Sequence, residues 1–164
     1  MDYILKLQKA NEANFAEYGM YIGGPNRAAD HSENAFDWWN GLAKLDFGAT
    51  ASLGIVRAKY TGNFSQNIFE QHAHSIEVLI PLDNDIVIVV GKPCALNGDT
   101  CNHEDFAAFL VPKHSIVVLN KGVWHRAPMT FSDTANVLVL FKDNTSANDT
   151  KLIELSDVNF NVML

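Results

Sequence analysis

A chain of 164 residues, 48% of them hydrophobic, has the length and composition of an ordinary globular domain with room for a sizeable core. Its formal net charge of -7 and its lack of any Lys/Arg cluster exclude a nucleic-acid or anionic-membrane surface as the expected partner. Two cysteines, Cys94 and Cys101, are too few for a disulfide framework and are expected as free thiols, so a reduced, cytoplasmic setting is expected.

The N-terminal stretch MDYILKLQKANEANF has no basic start, apolar run and small-residue cleavage site, and no signal peptide is expected. In NEANFAEYG (11–19), Asn11 offers an N-cap, Glu12 an acidic first turn and Gly19 a stop, which predicts a short helix with Phe15 and Tyr18 on one face. GGPN (23–26) reads as a turn. AFDWWNGLAKLDFG (35–48) predicts a short aromatic helix, weakened at Gly41. From residue 50 the pattern turns to β. Strands are predicted over 53–60, 76–82, 86–91, 106–111, 115–119, 136–141 and 157–164, and in the last of these Val158, Phe160, Val162 and Leu164 share a face. Turn signals separate them at LDND (82–85), LNGD (96–99), LNKG (119–122) and KDNTSANDT (142–150). The apolar runs IVIVV, SIVVL and NVLVLF are far too short to span a bilayer. Many short strands after a helical start predict a mostly β fold, a sandwich or closed barrel, in a single domain over 1–164.

The chemistry concentrates in FEQHAHSIEVLIPL (69–82). Read as a strand, it points His72 and His74 the same way. Two converging imidazoles suit a divalent metal, which satisfies ring nitrogens otherwise unpaired in an apolar wall. Glu77 has the opposite parity and joins that site only if a bulge at Ser75–Ile76 resets the alternation. A second segment, HSIVVLNKGVWHRAP (114–128), runs a strand into a turn with Gly122 and then reaches His125, a third imidazole. His31 and His103 lie in polar loop text and read as solvated, and His114 begins a strand with no paired motif.

These segments carry a resemblance. HAHSIEVLIPLDNDIVIVVG (72–91) resembles the first motif of the cupin superfamily, HxH followed by Glu. HSIVVLNKGVWH (114–125) resembles the second: Gly122 and His125 match, while His114 and Asn120 stand in place of a Gly and a Pro. The resemblance implies a cupin-type jelly-roll β barrel or sandwich with short N-terminal helical segments. It also implies one divalent metal held by His72, His74, Glu77 and His125. A narrower resemblance, to the ureidoglycolate lyase family of cupins, covers almost the whole chain. Its blocks NFAEYGMYI (14–22), LAKLDF (42–47), LGIVRAKY (53–60), FEQHAHSIEVLIPL and GVWHRAPM (122–129) occur in the family's order. His74 stands where that family has an apolar or aromatic residue, Glu77 where it has Gln, and Arg126 where it has a second His.

The narrower resemblance implies a metal-dependent carbon–nitrogen lyase of purine and allantoin catabolism, releasing urea from ureidoglycolate and leaving glyoxylate. The metal, one of nickel, manganese, iron, zinc or cobalt, would chelate the substrate's carboxylate and α-hydroxyl. Glu70 or Glu77 would move the proton, and if Glu77 is a ligand the task falls to Glu70. The substrate carboxylate needs a cation, for which Arg57, Lys59 and Arg126 are the candidates, a guanidinium giving the better bidentate match. Arg57 shares the parity of Leu53 and Ile55, read as inward. Trp124 is expected in the barrel wall. The expected partners are a small carboxylate substrate and a second copy in a homodimer, with no nucleic acid and no membrane. Two alternatives remain open: another metal cupin enzyme (an isomerase, decarboxylase or oxygenase on a small polar substrate), or a non-enzymatic cupin that senses a small ligand.

Overall fold

Apolar alternation along the chain builds two facing, mainly antiparallel sheets, the mostly β jelly roll of a cupin, in a computed structural model that describes residues 1–97 and 100–164, without the side chains at 97, 100 and 101. The expected turn LNGD (96–99) and the Cys101 thiol thus lie outside the described residues, whereas Cys94 is a free, exposed thiol. The first sheet has eight strands, in the order Lys151–Glu154, Ile68–Gln71, Trp124–His125, Ile86–Gly91, Phe106–Val111, Asp2–Lys9, Asn159–Met163 and Ser65–Gln66. The second has five, in the order Gly19–Ile22, Ile116–Leu119, Glu77–Pro81, Thr134–Lys142 and Ala51–Lys59. No helix of the described residues is long and apolar enough to cross a membrane.

The first core lies between the sheets. Ile86, Ile88, Val90, Phe109 and Val111 meet Leu79, Val117, Leu119, Val137 and Val139 there, with Phe15 and Tyr18 packed against them. The eight-stranded sheet also buries its other face, around Phe69, Val89, Phe106, Ala108, Trp124 and Phe160. Only Asn67 separates Ser65–Gln66, at one end of that sheet, from Ile68–Gln71 near the other end, so the sheet curls round this second core. Covered on both faces, Ile86–Gly91 is buried at every residue, which is why IVIVVG is a continuous apolar run and not an alternating one.

The predicted strands form, with ends shifted by a residue or two. Asp2–Lys9, which was not among the expected strands, pairs in parallel with both Phe106–Val111 and Asn159–Met163, and its Leu5 enters the second core flanked by Tyr3 and Leu7. The first helix shortens to Glu12–Phe15 but carries a full capping box: Asn11 Oδ1 accepts from the Ala13 and Asn14 amides, and Asn14 Oδ1 accepts from the Asn11 amide. Gly19 does more than end it. The backbone passes so close to its neighbour that a Cβ there would lie 1.8 Å from the Val118 carbonyl oxygen.

Two expectations are corrected. AFDWWNGLAKLDFG forms no helix; a small hairpin pairs His31–Ser32 with Asp37–Trp38, tied by the Arg27–Asp30 fork and by Trp39 Nε1 donating to the Arg27 carbonyl. In Ala51–Lys59 the inward face belongs to Val56 and Ala58, while Leu53 and Ile55 are 64% and 62% exposed. Arg57 shares their parity, as expected, and therefore points outward with them.

Candidate metal centre

The strand Ile68–Gln71 ends one residue before His72. Residues 72–76 then cross from the eight-stranded to the five-stranded sheet, where Glu77 opens the next strand. Parity therefore does not connect His72 with Glu77, and no bulge is needed: the two side chains come from opposite sheets. Gly122 holds the crossing in place. Its amide donates to the His72 carbonyl at 2.7 Å and its carbonyl accepts Gln71 Nε2 at 2.7 Å. Its φ of +80° is the left-handed conformation that glycine adopts without a Cβ penalty. Three residues later His125 lies in register between Glu70 and Val90.

These elements bring His72, Glu77 and His125 together, only 5%, 9% and 4% exposed, with ligand-type atoms all within 4.8 Å of one another. Glu77 Oε2 lies 2.9 Å from His125 Nε2 and 3.1 Å from His72 Nε2. The far nitrogens are both engaged: His125 Nδ1 is 3.0 Å from the Val123 carbonyl and His72 Nδ1 is 3.0 Å from the Asp149 carbonyl. A carbonyl can only accept, so both Nδ1 atoms carry protons and both rings turn Nε2 toward the Glu77 carboxylate. Three buried acceptors facing one point require a cation, either protons or a metal ion. Burial by itself would raise the Glu77 carboxyl; the charge of His125 and the hydrogen bonds from both imidazoles outweigh it and hold the group at about 2. Burial would likewise lower His125, but the charge and hydrogen bond of Glu77 raise it above the ordinary imidazole value. A carboxylate held that low stays ionised at neutral pH and suits a ligand better than a proton donor.

The donor set fits a divalent ion. Two ligand atoms at right angles and each about 2.1 Å from a common centre lie roughly 3 Å apart, the spacing seen from Glu77 to both imidazoles. Two imidazoles and one carboxylate also leave positions open for a substrate to chelate.

The other expected residues are distributed unevenly. His74 does not reach this cluster. Its side chain is 77% exposed, and its Nδ1 lies 2.8 Å from Asp149 Oδ1. The cause is the bend at 72–76, which removes the strand alternation that would have aligned it with His72. Glu70 is half-buried and directly opposite His125 in the ladder, so it shares the face of that histidine. Arg57 is turned away from the cluster, with Nε donating to Asn136 Oδ1, and Lys59 is exposed on the same outward face. Arg126 is half-buried next to His125 and has no ion pair among the described residues. Trp124 fills the second core, with Lys151 Nζ 5.4 Å from its ring centroid. Asp149 was missed: it lies in KDNTSANDT, where the sequence shows only a turn, and nothing in its spacing marks it as a neighbour of His72.

Two facing β sheets that hold a buried His–Glu–His set between them define a cupin-type jelly roll with a candidate metal centre. The chain belongs to the ureidoglycolate lyase family, whose model matches residues 2–162. No curated protein sequence matches it. Among solved structures it is similar to a 3,4-ketoisomerase from Helicobacter canadensis, with 20% identity and a TM-score of 0.44 over 61% of this chain and 66% of that one. It is also similar to a sugar 3,4-ketoisomerase from Thermoanaerobacterium thermosaccharolyticum in complex with TDP, with 15% identity and a TM-score of 0.46 over 61% of this chain and 64% of that one. A third is the oxalate decarboxylase of Lactobacillus farciminis in a formate complex, with 18% identity and a TM-score of 0.43 over 65% of this chain and 27% of that one. The chain thus spans just under two thirds of the two isomerases and about a quarter of the decarboxylase.

Proposed function

We propose that this protein is a metal-dependent ureidoglycolate lyase that holds a first-row divalent ion with His72, Glu77 and His125. The observation that carries the metal is the pair of Nδ1 atoms anchored on backbone carbonyls, which turns both Nε2 atoms onto a buried carboxylate. Membership of the family supports the reaction. When bound, the ion supplies Lewis acidity and a template for the carboxylate and α-hydroxyl of the substrate. Glu70, on the His125 face and half-buried, takes the proton of that hydroxyl. The carbon–nitrogen bond breaks as the hydroxyl carbon becomes the aldehyde of glyoxylate, and the departing urea nitrogen takes up the proton from Glu70. Of the three candidate cations only Arg126 is half-buried, Arg57 and Lys59 being exposed, which supports it as the partner of the substrate carboxylate.

A second reading rests on Glu77, which stands where the family has Gln: a metal cupin enzyme acting on another small polar substrate. Metal-loaded protein incubated with ureidoglycolate separates the two. The lyase reading expects urea and glyoxylate in equal amounts, abolished in Glu70→Gln. A metal-loaded chain that releases neither above background would overturn it.

A further inference from the structure

We propose that Asp149 is the positioning residue for His72, and that His74, the second histidine of the HxH motif, is part of the same brace and not a ligand. The inference rests on the metal reading above. Asp149 contacts the 72–74 segment four times. Its carboxylate accepts from the Ala73 amide at 3.1 Å, from the His74 amide at 2.8 Å and from His74 Nδ1 at 2.8 Å. Its backbone carbonyl accepts His72 Nδ1–H at 3.0 Å.

The first three contacts fix the bend that carries His72, and the fourth fixes the tautomer and tilt of its ring. The acceptor itself is held from behind. The Asp149 amide donates to the Thr145 carbonyl at 2.8 Å at the end of the helix Thr145–Asn148, and Thr150 Oγ1 donates to the same carbonyl at 3.2 Å. Thr145 is buried, so this cradle is anchored in the body of the protein. The grip of the 145–150 segment on the 72–74 bend thus aims the His72 ring at Glu77, on a backbone that Gly122 holds from the other side. A ring nitrogen held by a carbonyl is the outer contact that orients a metal-ligating imidazole and raises its basicity.

The test uses the full chain, metal-free, titrated with cobalt(II), together with the nitrogen-bound proton of His72 observed by NMR. Asp149→Ala retains the backbone carbonyl and loses the three carboxylate contacts. It should weaken cobalt binding by about 10–100-fold and make the His72 Nδ1 proton exchange faster than in the wild type. His74→Ala, at an exposed ring, removes one of the three contacts with little risk to folding. It should leave cobalt bound at the same stoichiometry, with a smaller loss of affinity and a measurable loss of Nδ1 proton protection. Asp149→Ala with wild-type affinity and wild-type protection would overturn the proposal, as would His74→Ala that loses the ion altogether, since that is the behaviour of a ligand. If the wild-type chain binds no cobalt, the metal reading fails, while the Nδ1 protection in the metal-free chain still decides whether Asp149 holds the ring.

Discussion

Glu77 and His125 are worth most to each other when both are charged, and this sets the pH behaviour of the metal-free protein. The folded value of Glu77 is held at about 2, below its ordinary 4.5, so its contribution to stability is present above about pH 4.5 and is lost as the pH falls toward 2. The folded value of His125 lies above its ordinary 6.5, so its contribution is full below about pH 6.5 and is lost as the pH rises through the folded value. The metal-free chain should therefore show its highest Tm between about pH 4.5 and 6.5 and decline on the alkaline side. A bound divalent ion replaces the proton as the cation among the three acceptors, so the alkaline decline should flatten when metal is added. Thermal melts across pH, with chelator and with metal, would check this. Metal affinity should fall in the acid direction, because the imidazoles must lose protons to bind. Glu77→Ala leaves two imidazoles facing each other with no counter-charge and should abolish metal binding, measured by the metal content of the folded variant.

The turn around Gly122 is the element that joins the two halves of the site. Gly122→Ala forces a Cβ into a left-handed conformation at a cost of about 1–2 kcal/mol. That corresponds to a Tm lowered by roughly 2–8 °C for a chain of this size. Because the same residue holds Gln71 and His72 through its own amide and carbonyl, metal affinity should fall with stability, which a melt and a metal titration on one sample would show. Elements with a long apolar run or strict alternation were legible in the sequence: IVIVVG, FAAFLV and the C-terminal NFNVM all form strands. His72 and His125 were legible too, because an imidazole in β-rich text is costly without a partner. The outward direction of Arg57 was not. On the edge strand Ala51–Lys59 the larger apolar residues face out and the inner face carries smaller ones such as Ala58, so the usual rule that apolar means inward pointed the wrong way. His74 was misplaced for a different reason. The strand ends at Gln71, and the contacts that stabilise the bend come from Asp149, 75 residues further along the chain.

At the scale of the whole molecule, the eight-stranded sheet serves two cores at once. Its inner face carries His125 toward the candidate metal centre; its outer face closes over Phe69, Phe106 and Phe160, whose rings lie 4.4 to 5.6 Å apart by centroid. The second core joins the strand Asn159–Met163 to residues from the middle of the chain, so the site rests on contacts made by distant parts of the sequence. Phe160→Ala should cost about 3–5 kcal/mol, a large share of the total stability of a domain. Tm should fall by roughly 6–20 °C, while the metal stoichiometry of the still-folded protein is unchanged because Phe160 touches none of the three ligands. A loss of metal that runs ahead of the loss of fold would show that the two faces of the sheet are coupled more tightly than their separate contacts indicate.

In the proposed centre His72, Glu77 and His125 together hold one divalent ion. Elemental analysis of the wild-type chain beside His72→Ala, Glu77→Ala and His125→Ala, each checked for folding and loaded in the same metal mixture, tests it most directly. About one first-row ion per wild-type chain is expected and close to none in each variant, with His74→Ala retaining its ion. A wild-type chain that takes up no ion, or variants that take up as much as the wild type, would contradict it.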